Sequence, residues 1–330
     1  MSLSLSFACP PYDRILPLTD GRVSVQGVRL NYLPLEVEEV FWRQLRNQEF
    51  DISESSFSTY VMLRSRGDER FIAIPVFTSR MFRHAYMFKN VHKGIQAPGD
   101  LKGKIVGLPE YQITAVVWLR GILQDQYGVF PQEVHWRSGG QEVPGRKEKV
   151  KLDLPPEIDL QSIPPDKYLS QMLDDGDLDA MIGARTPSCL ANGSPNVARI
   201  IENPQEVEEQ YFRETGLFPI MHTLIVKREI YEKNRWLAMN LYKAFSEAKE
   251  MVTRNYNETA ALHVTLPWIH DDLKRIKSVL GENWWPYGIA ENRHVLETFL
   301  RYHHEQGLSA GRMKIEELFA PETLDEEFKI

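Results

Sequence analysis

A strand–turn–helix unit in the middle of the chain constrains the fold more than any other feature. The short apolar strand 104–108 is followed by the turn 109–112 and by a strongly apolar helix, 114–127. Because this order is typical of α/β proteins, it predicts a sheet covered by helices. Such sheets bind ligands beyond the carboxyl ends of their strands, so the turn is a candidate site.

Further strands and helices are predicted on both sides of this unit. Period-two alternation and short apolar runs predict strands, whereas apolar spacings of three to four residues predict helices. The other predicted strands are 2–8, 28–33, 71–76, 83–89, 178–184 and 223–226. The other predicted helices are 37–46, 57–63, 168–173 and 229–256, followed by several helices in the tail. Residues 51–56 are predicted to form a polar turn, and 139–165 a surface loop.

The chain length and the two α/β regions predict two lobes. A chain of 330 residues is too long for one typical core and suits two domains. We expect a discontinuous first lobe of residues 1–95 and 210–330, with the C-terminal helices, and a second lobe of residues 96–209. The chain would cross between them near residues 90–100 and 200–215, and a cleft between the lobes would bind the ligand.

The composition favours a cytoplasmic protein that binds a small molecule. A net charge of −7 argues against a basic nucleic-acid-binding face. No run of about 18 apolar residues could cross a membrane, and the N-terminus lacks the features of a signal peptide. Cys9 and Cys189 have no metal-type spacing and are expected to be buried thiols. The seven tryptophans leave open self-association into a homo-oligomer.

Seven short segments, spread almost from end to end, resemble one known family. They are IPVFTSRMFRH at 74–84, GLPEYQITA at 107–115, IGAR at 182–185, FPIMHT at 218–223, WPYG at 285–288, RYH at 301–303 and ELFAP at 317–321. Together they resemble the 4,5-dihydroxyphthalate decarboxylase family.

This resemblance implies an α/β, two-lobed, type II periplasmic-binding-protein-like fold with an inter-lobe cleft. It also implies a cytoplasmic decarboxylase, without an organic cofactor, that converts 4,5-dihydroxyphthalate to protocatechuate and carbon dioxide. Solute-binding proteins share this fold, so a non-catalytic binder or sensor of small aromatic carboxylates stays open as the alternative. The true aromatic acid stays open as well.

Two arginines and a histidine follow the predicted strand 71–76. Arg80, Arg83 and His84 lie within five residues, and guanidinium groups bind carboxylates through two parallel hydrogen bonds. They suit a ligand with two adjacent carboxylates, although a surface arginine pair beside a packed histidine also fits the pattern. If residues 83–88 are extended, Arg83 and His84 face the same cleft only at an irregular strand start.

The turn before helix 114–127 is a second candidate. Helix N-termini favour anions, and Thr114 could cap the helix, so Glu110, Tyr111 and Thr114 are candidate contacts. A plain capping turn, with Glu110 balancing the helix dipole, fits equally well. Arg185 follows the predicted strand 178–184, where ligand contacts are expected, and a hinge salt bridge is its alternative.

Weaker candidates are distributed over the first lobe. Arg14 follows the first strand and could bind an anion, and Ser55 could donate a hydrogen bond from a loop. His222 could face the cleft or be a packed core histidine. Sequence motifs for nucleotide binding, serine hydrolysis and zinc are missing. A metal bound by His84, His222 and Glu110 stays open.

The reaction that the resemblance implies needs three things: carboxylate anchors, a proton donor above the ring carbon, and exclusion of water. A ring hydroxyl para to the departing carboxylate allows the ring carbon to be protonated before the C–C bond breaks. Histidine, with an ordinary pKa of about 6.5, suits the donor, and we expect His84 in that role.

The other expected roles follow from the same scheme. Arg80 and Arg185 are the expected carboxylate anchors, and Arg83 and Arg14 are secondary anchors. Glu110 or His222 would orient the ring hydroxyls or the acid. Closure of the lobes would exclude water.

Overall fold

The structure, a computed structural model, describes residues 2–324 and contains two mixed β-sheets. The strands are β1 (Leu3–Cys9), β2 (Val28–Pro34), β3 (Ile52–Ser56), β4 (Phe71–Arg80), β5 (Met87–Asn90), β6 (Ile105–Leu108), β7 (His135–Ser138), β8 (Leu160–Ser162), β9 (Ala180–Ile182), β10 (Val197–Arg199) and β11 (Ile220–Lys227). The helices are α1 (Leu16–Thr19), α2 (Val37–Asn47), α3 (Phe57–Ser65), α4 (Thr114–Tyr127), α5 (Leu169–Asp175), α6 (Ser188–Ala191), α7 (Pro204–Thr215), α8 (Arg228–Lys233), α9 (Trp236–Asn255), α10 (Ile269–Leu280) and α11 (Arg293–Glu305).

The two sheets form the two lobes. The first sheet has the strand order β2-β1-β3-β11-β4, in which β11 runs antiparallel to both neighbours. The second sheet has the order β10-β5-β9-β6-β7-β8. Helix α4 follows β6, as the sequence predicts for this strand–turn–helix unit. Strand β3 leads directly into helix α3, and strand β6 leads into helix α4 through residues 109–113.

The first crossing between the lobes comes earlier than predicted. Strand β5 pairs antiparallel with β9 and β10, so it belongs to the second sheet although it falls within the predicted first lobe, 1–95. The chain therefore leaves the first sheet after Arg80 and enters the second at Met87. It returns to the first sheet between β10 and β11.

Helix α4 joins the two lobes in one apolar core. Trp118 is fully buried, donates a hydrogen bond from its indole nitrogen to the carbonyl of Ile220 (2.8 Å), and packs edge-on against Tyr302 of α11. Gly121 allows this close approach, because a Cβ at that position would overlap the Tyr302 ring. The lobes are thus in contact below the cleft.

Three secondary-structure predictions were wrong. Residues 52–56 form the central strand β3 rather than a turn, because Ser53 and Glu54 are fully buried between β1 and β11 despite their polarity. The predicted helix 229–256 is two helices, α8 and α9, and Asn234 between them has a non-helical backbone (φ −144°, ψ 58°). The predicted strand 83–89 begins only at Met87, after one 3₁₀ turn at His84–Tyr86.

Two smaller expectations concern membranes and cysteines. Within residues 2–324, every helix is too short or too polar to span a lipid bilayer. Cys9 and Cys189 are both buried and are not joined in a disulfide.

Candidate active site

A cleft of about 190 Å³ lies between the lobes, at the carboxyl ends of β3, β6 and β9. Its lining comes from both sheets and from the crossing segment between them. The first lobe contributes Val37, Glu38, Phe41, Ser56, Thr59, Met221 and His222. The second contributes Glu110, Gln112, Ile113, Thr114, Ala115, Arg146, Lys149, Ala184 and Arg185, and the crossing contributes Arg83.

The N-termini of helices α3 and α4 meet at one wall of the cleft. Ser56 caps α3 and accepts a hydrogen bond from the backbone of Thr59 (3.4 Å). Thr114 was predicted as a cap of α4, but it is instead the first residue of that helix, and its hydroxyl accepts a hydrogen bond from the backbone of Ser58 (3.0 Å). The Ser56 and Thr114 hydroxyls are 3.0 Å apart. This wall therefore combines two positive helix ends.

Two guanidinium groups in the lining have no carboxylate partner among the described residues. Arg83 is buried; its Nε contacts the sulfur of Met221 (3.2 Å) and its Nη1 donates to the carbonyl of Ala184 (3.2 Å). Burial lowers the pKa of Arg83 to about 10, so it is still a cation at neutral pH. Arg185 is exposed, and its side chain makes no hydrogen bond or ion pair within residues 2–324.

The other two cations of the cleft are paired. Arg146 binds Glu110 of the second lobe (2.6 Å) and Glu38 of α2 in the first lobe (3.0 Å). Lys149 binds Glu110 at 2.6 Å. Glu110 is thus a buried carboxylate held between two cations. With four cations and two carboxylates in the lining, the cleft has an excess of two positive side chains.

His222 lines the cleft and is hydrogen-bonded to a buried carboxylate. Its Nδ1 lies 2.8 Å from Oε1 of Glu54, which is fully buried. The same carboxylate accepts hydrogen bonds from the hydroxyls of Tyr12 (3.1 Å) and Thr78 (2.8 Å). The His222 ring packs edge-on against Phe41, with centroids 4.9 Å apart. Because an ionised carboxylate only accepts, Nδ1 donates to Glu54 and Nε2 is available to a ligand.

Arg80, a predicted carboxylate anchor, does not line this cleft. It is buried, and its guanidinium donates to the carbonyls of Phe218 (3.0 Å) and Pro286 (2.8 Å) and to the side chain of Asn292. Burial lowers its pKa to about 9. The strand β4 extends to Arg80, so this side chain points into the packing of the C-terminal segment, and Arg83 reaches the cleft instead.

His84, the predicted proton donor, is also outside the cleft lining. Its ring packs edge-on against Tyr211, and its Nδ1 lies 3.9 Å from Glu208, too far for a hydrogen bond. Burial lowers the pKa of His84 to about 4, so the ring is neutral near pH 7. A neutral, buried imidazole lacks the proton that the predicted role requires.

The three remaining candidates lie outside the cleft lining. Tyr111 is fully buried and stacks under the guanidinium of Arg120 (3.5 Å), so it does not reach the cleft. Arg14 donates to the carbonyl of Thr78 (Nε, 2.7 Å). It therefore supports the strand below the Glu54 carboxylate rather than lining the cleft. Ser55 lies next to the cleft, and its hydroxyl contacts the carbonyl of Ser56 (3.4 Å).

The three residues considered for a metal bind different partners. Glu110 is paired with Arg146 and Lys149, whereas His222 is paired with Glu54. His84 is buried elsewhere. Within the described residues, no three His, Cys, Asp or Glu side chains are grouped so that they could hold a metal ion.

Local sequence patterns missed four of the cleft's charged groups and their contacts. Glu54 falls in the segment predicted as a turn. The spacing of two residues between Ile52, Glu54 and Ser56 was the signal from which a strand could have been predicted. Arg146 and Lys149 fall in the predicted loop 139–165 and reach their partners over long sequence separations. Glu38 falls in the predicted helix 37–46, where a surface position gave no indication of a site.

Comparisons with known proteins agree with this architecture. The chain is 42% identical over 328 residues to the 4,5-dihydroxyphthalate decarboxylase of Comamonas testosteroni, covering 99% of both chains. It is 42% identical over 211 residues to the protein of the same name from Pseudomonas putida, covering 64% of this chain and 82% of that one. A search against protein-family models found no match.

Solved structures share the fold at low sequence identity. The sulfonate-binding protein SsuA of Methylobacillus flagellatus, a putative transporter component, aligns with a TM-score of 0.54 at 12% identity, covering 98% of this chain and 93% of that one. The aliphatic sulphonate binding protein SsuA of Escherichia coli aligns with a TM-score of 0.52 at 13% identity, covering 96% and 91%. These likenesses confirm the two-lobed periplasmic-binding-protein-like fold. By its full-length similarity to the Comamonas protein, the chain belongs to the 4,5-dihydroxyphthalate decarboxylase family.

Proposed function

We propose that this protein is a decarboxylase that converts 4,5-dihydroxyphthalate to protocatechuate and carbon dioxide in the inter-lobe cleft. The observation that carries the proposal is the His222–Glu54 pair at 2.8 Å, located in a cleft that also presents two guanidinium groups with no ion-paired carboxylate within residues 2–324. Membership of the family, with 42% identity to a full-length relative of that name, supports the same reaction.

The charges of the cleft suit a substrate with two adjacent carboxylates. Arg83 is fixed by its contacts with Met221 and Ala184, so it offers a preorganised donor, whereas exposed Arg185 can move onto a bound ligand. The N-termini of α3 and α4 add backbone N–H groups at the same wall. A dianion would balance the excess of two positive side chains in the lining.

Proton transfer is assigned to His222. Protonated His222 gives the proton on Nε2 to the ring carbon that bears the departing carboxylate, while the para hydroxyl supplies electrons to the ring. The C–C bond then breaks, its electron pair restores the aromatic ring, and carbon dioxide leaves. Neutral His222 takes up one proton from solvent, so each turnover consumes one proton. Glu54 stabilises the imidazolium and fixes the ring orientation through Nδ1.

Closure of the cleft is assigned to Arg146. It binds Glu110 and Glu38, which lie in different lobes, so it joins the two sides of the cleft through one guanidinium. Water excluded by closure would strengthen the charge interactions with the substrate and protect the intermediate. We place the reaction in the cytoplasm, and the two free buried thiols, Cys9 and Cys189, are in keeping with a reducing compartment.

Incubation of the purified protein with 4,5-dihydroxyphthalate tests the proposal. Release of carbon dioxide and protocatechuate in equal amounts is the expected result. Phthalate, which lacks the para hydroxyl, should bind without being turned over. Saturable binding without product across a panel of aromatic acids would instead indicate that the protein is a non-catalytic binder or sensor.

A further inference from the structure

A narrow annex extends from the cleft beneath His222, between α2, α3 and the first sheet. Its apolar wall consists of Leu45, Tyr60, Leu63, Phe71 and Ile225, and we call this space the annex. Its free volume is about 30 Å³, enough for one small molecule, because a single water needs about 10–15 Å³ on this scale.

The annex adjoins the cleft, and Phe41, Ser56, Thr59 and Lys149 line both spaces. Phe41 also packs against the His222 ring. A group released beside His222 could therefore reach the annex past the Phe41 ring.

The polar groups of the annex already have partners in the protein. The side-chain amide of Gln44 is bonded to both backbone groups of Phe50 (2.9 and 3.0 Å), and the Tyr60 hydroxyl donates to the carbonyl of Leu318. Lys149 binds Glu110 at 2.6 Å. A bound water needs two to four polar partners, and a carboxylate needs donors, so the annex favours a neutral apolar occupant.

The residues that form the wall of the annex differ in their exposure to solvent. Glu54, Tyr60 and Ile225 are buried at no more than 2% exposure, whereas Leu45 and Leu63 are half-buried. The space therefore runs from the buried first sheet towards the outer surface between α2 and α3.

We propose that the annex receives carbon dioxide and is its route out of the cleft. This inference rests on the proposed function. When the C–C bond breaks, the electron pair stays on the ring, and the carboxylate carbon leaves with its two oxygens as a neutral, linear molecule. Carbon dioxide has no charge for Arg83 or Arg185 to bind, and it fits a small apolar space.

Gas binding tests the annex without any turnover. Crystals of the protein would be pressurised with carbon dioxide, and others with xenon, and then cooled. Density for both gases between Leu63 and Glu54 is expected. Ordered water there, unchanged under both gases, would overturn the inference.

Filling the annex tests its role in catalysis. Leu63→Trp places a bulky ring at a half-buried position, and Leu45→Trp is the second variant if the first does not fold. The matched control is Leu190→Trp, which is half-buried in the second lobe. In the filled variant we expect the gas density to be lost and kcat to fall more than kcat/KM. The carbon-13 isotope effect on released carbon dioxide should move towards its equilibrium value, because trapped product returns to substrate before it leaves.

The outcomes separate this inference from the proposed function. If the wild-type protein makes no protocatechuate, the proposed function fails. If it turns over but Leu63→Trp and Leu45→Trp keep the wild-type kcat and isotope effect, only the annex proposal fails.

Discussion

Glu54 and His222 lie on neighbouring antiparallel strands, β3 and β11, and their side chains meet at 2.8 Å below the cleft. Tyr12 and Thr78 complete the hydrogen bonds of the buried carboxylate. Four chain segments thus position one imidazole, and a local motif could not have encoded this arrangement.

Glu54→Gln should preserve the fold and remove most of the activity. The amide is similar in size, but it is neutral and cannot stabilise a protonated His222. We expect kcat to fall by about 10²-fold or more while substrate binding is retained. Steady-state kinetics and equilibrium titration with substrate measure the two quantities. Glu49→Gln, at an ion-paired surface position, is the control, and equal losses in both variants would count against a specific role for Glu54.

Arg185→Gln should weaken substrate binding without weakening the fold. The side chain is exposed and makes no contact within residues 2–324 that folding could depend on. Loss of a charge-assisted hydrogen bond to the carboxylate should raise KM by roughly 10- to 100-fold. Arg199→Gln, at another exposed arginine of the second lobe, should behave as wild type. An unchanged KM in Arg185→Gln would remove this residue from the site.

Arg80→Met should reduce stability rather than catalysis. Its guanidinium satisfies the buried carbonyls of Phe218 and Pro286 and the Asn292 side chain. Leaving these acceptors unpaired should lower the free energy of unfolding by about 1–3 kcal/mol. Urea denaturation measures this loss, and the surface variant Arg29→Met is its control. A rise in KM at unchanged stability would instead restore Arg80 as a substrate anchor.

Glu148 should make stability depend on pH. Burial raises its pKa from 4.5 to about 7, and one carboxylate oxygen has no hydrogen-bond partner among the described residues. The folded protein therefore binds more protons than the unfolded chain between these values, so stability falls as pH rises through this window. Glu148→Gln should remove this fall and be more stable than wild type at pH 8. Exposed Glu157→Gln should retain it, and identical pH profiles for wild type and Glu148→Gln would contradict the assignment.

The sequence predicts regular elements well where pattern and burial agree. Helix α4 begins and ends at the predicted residues, 114 and 127, because its apolar positions are also its buried positions. Strand β3 was missed because it is polar and central, and its burial is set by neighbours distant in the chain. The resemblance identified the family, and full-length similarity confirmed it.

The candidate site was only partly predictable. Five of the residues singled out from the sequence line the cleft: Arg83, Glu110, Thr114, Arg185 and His222. Arg80 and His84 were grouped with them because they are close in sequence, but β4 ends at Arg80 and the following turn directs each side chain to different surroundings. The contacts of Arg146 with Glu110 and Glu38 span 36 and 108 positions, beyond the reach of local patterns.

The kinetics of His222→Gln measure the central claim most directly. With 4,5-dihydroxyphthalate, kcat should fall by roughly 10²- to 10⁴-fold while the affinity for the substrate stays near the wild-type value, because only the proton donor is lost. Exposed His294→Gln should retain full activity. Wild-type kcat in a folded His222→Gln protein would contradict the account.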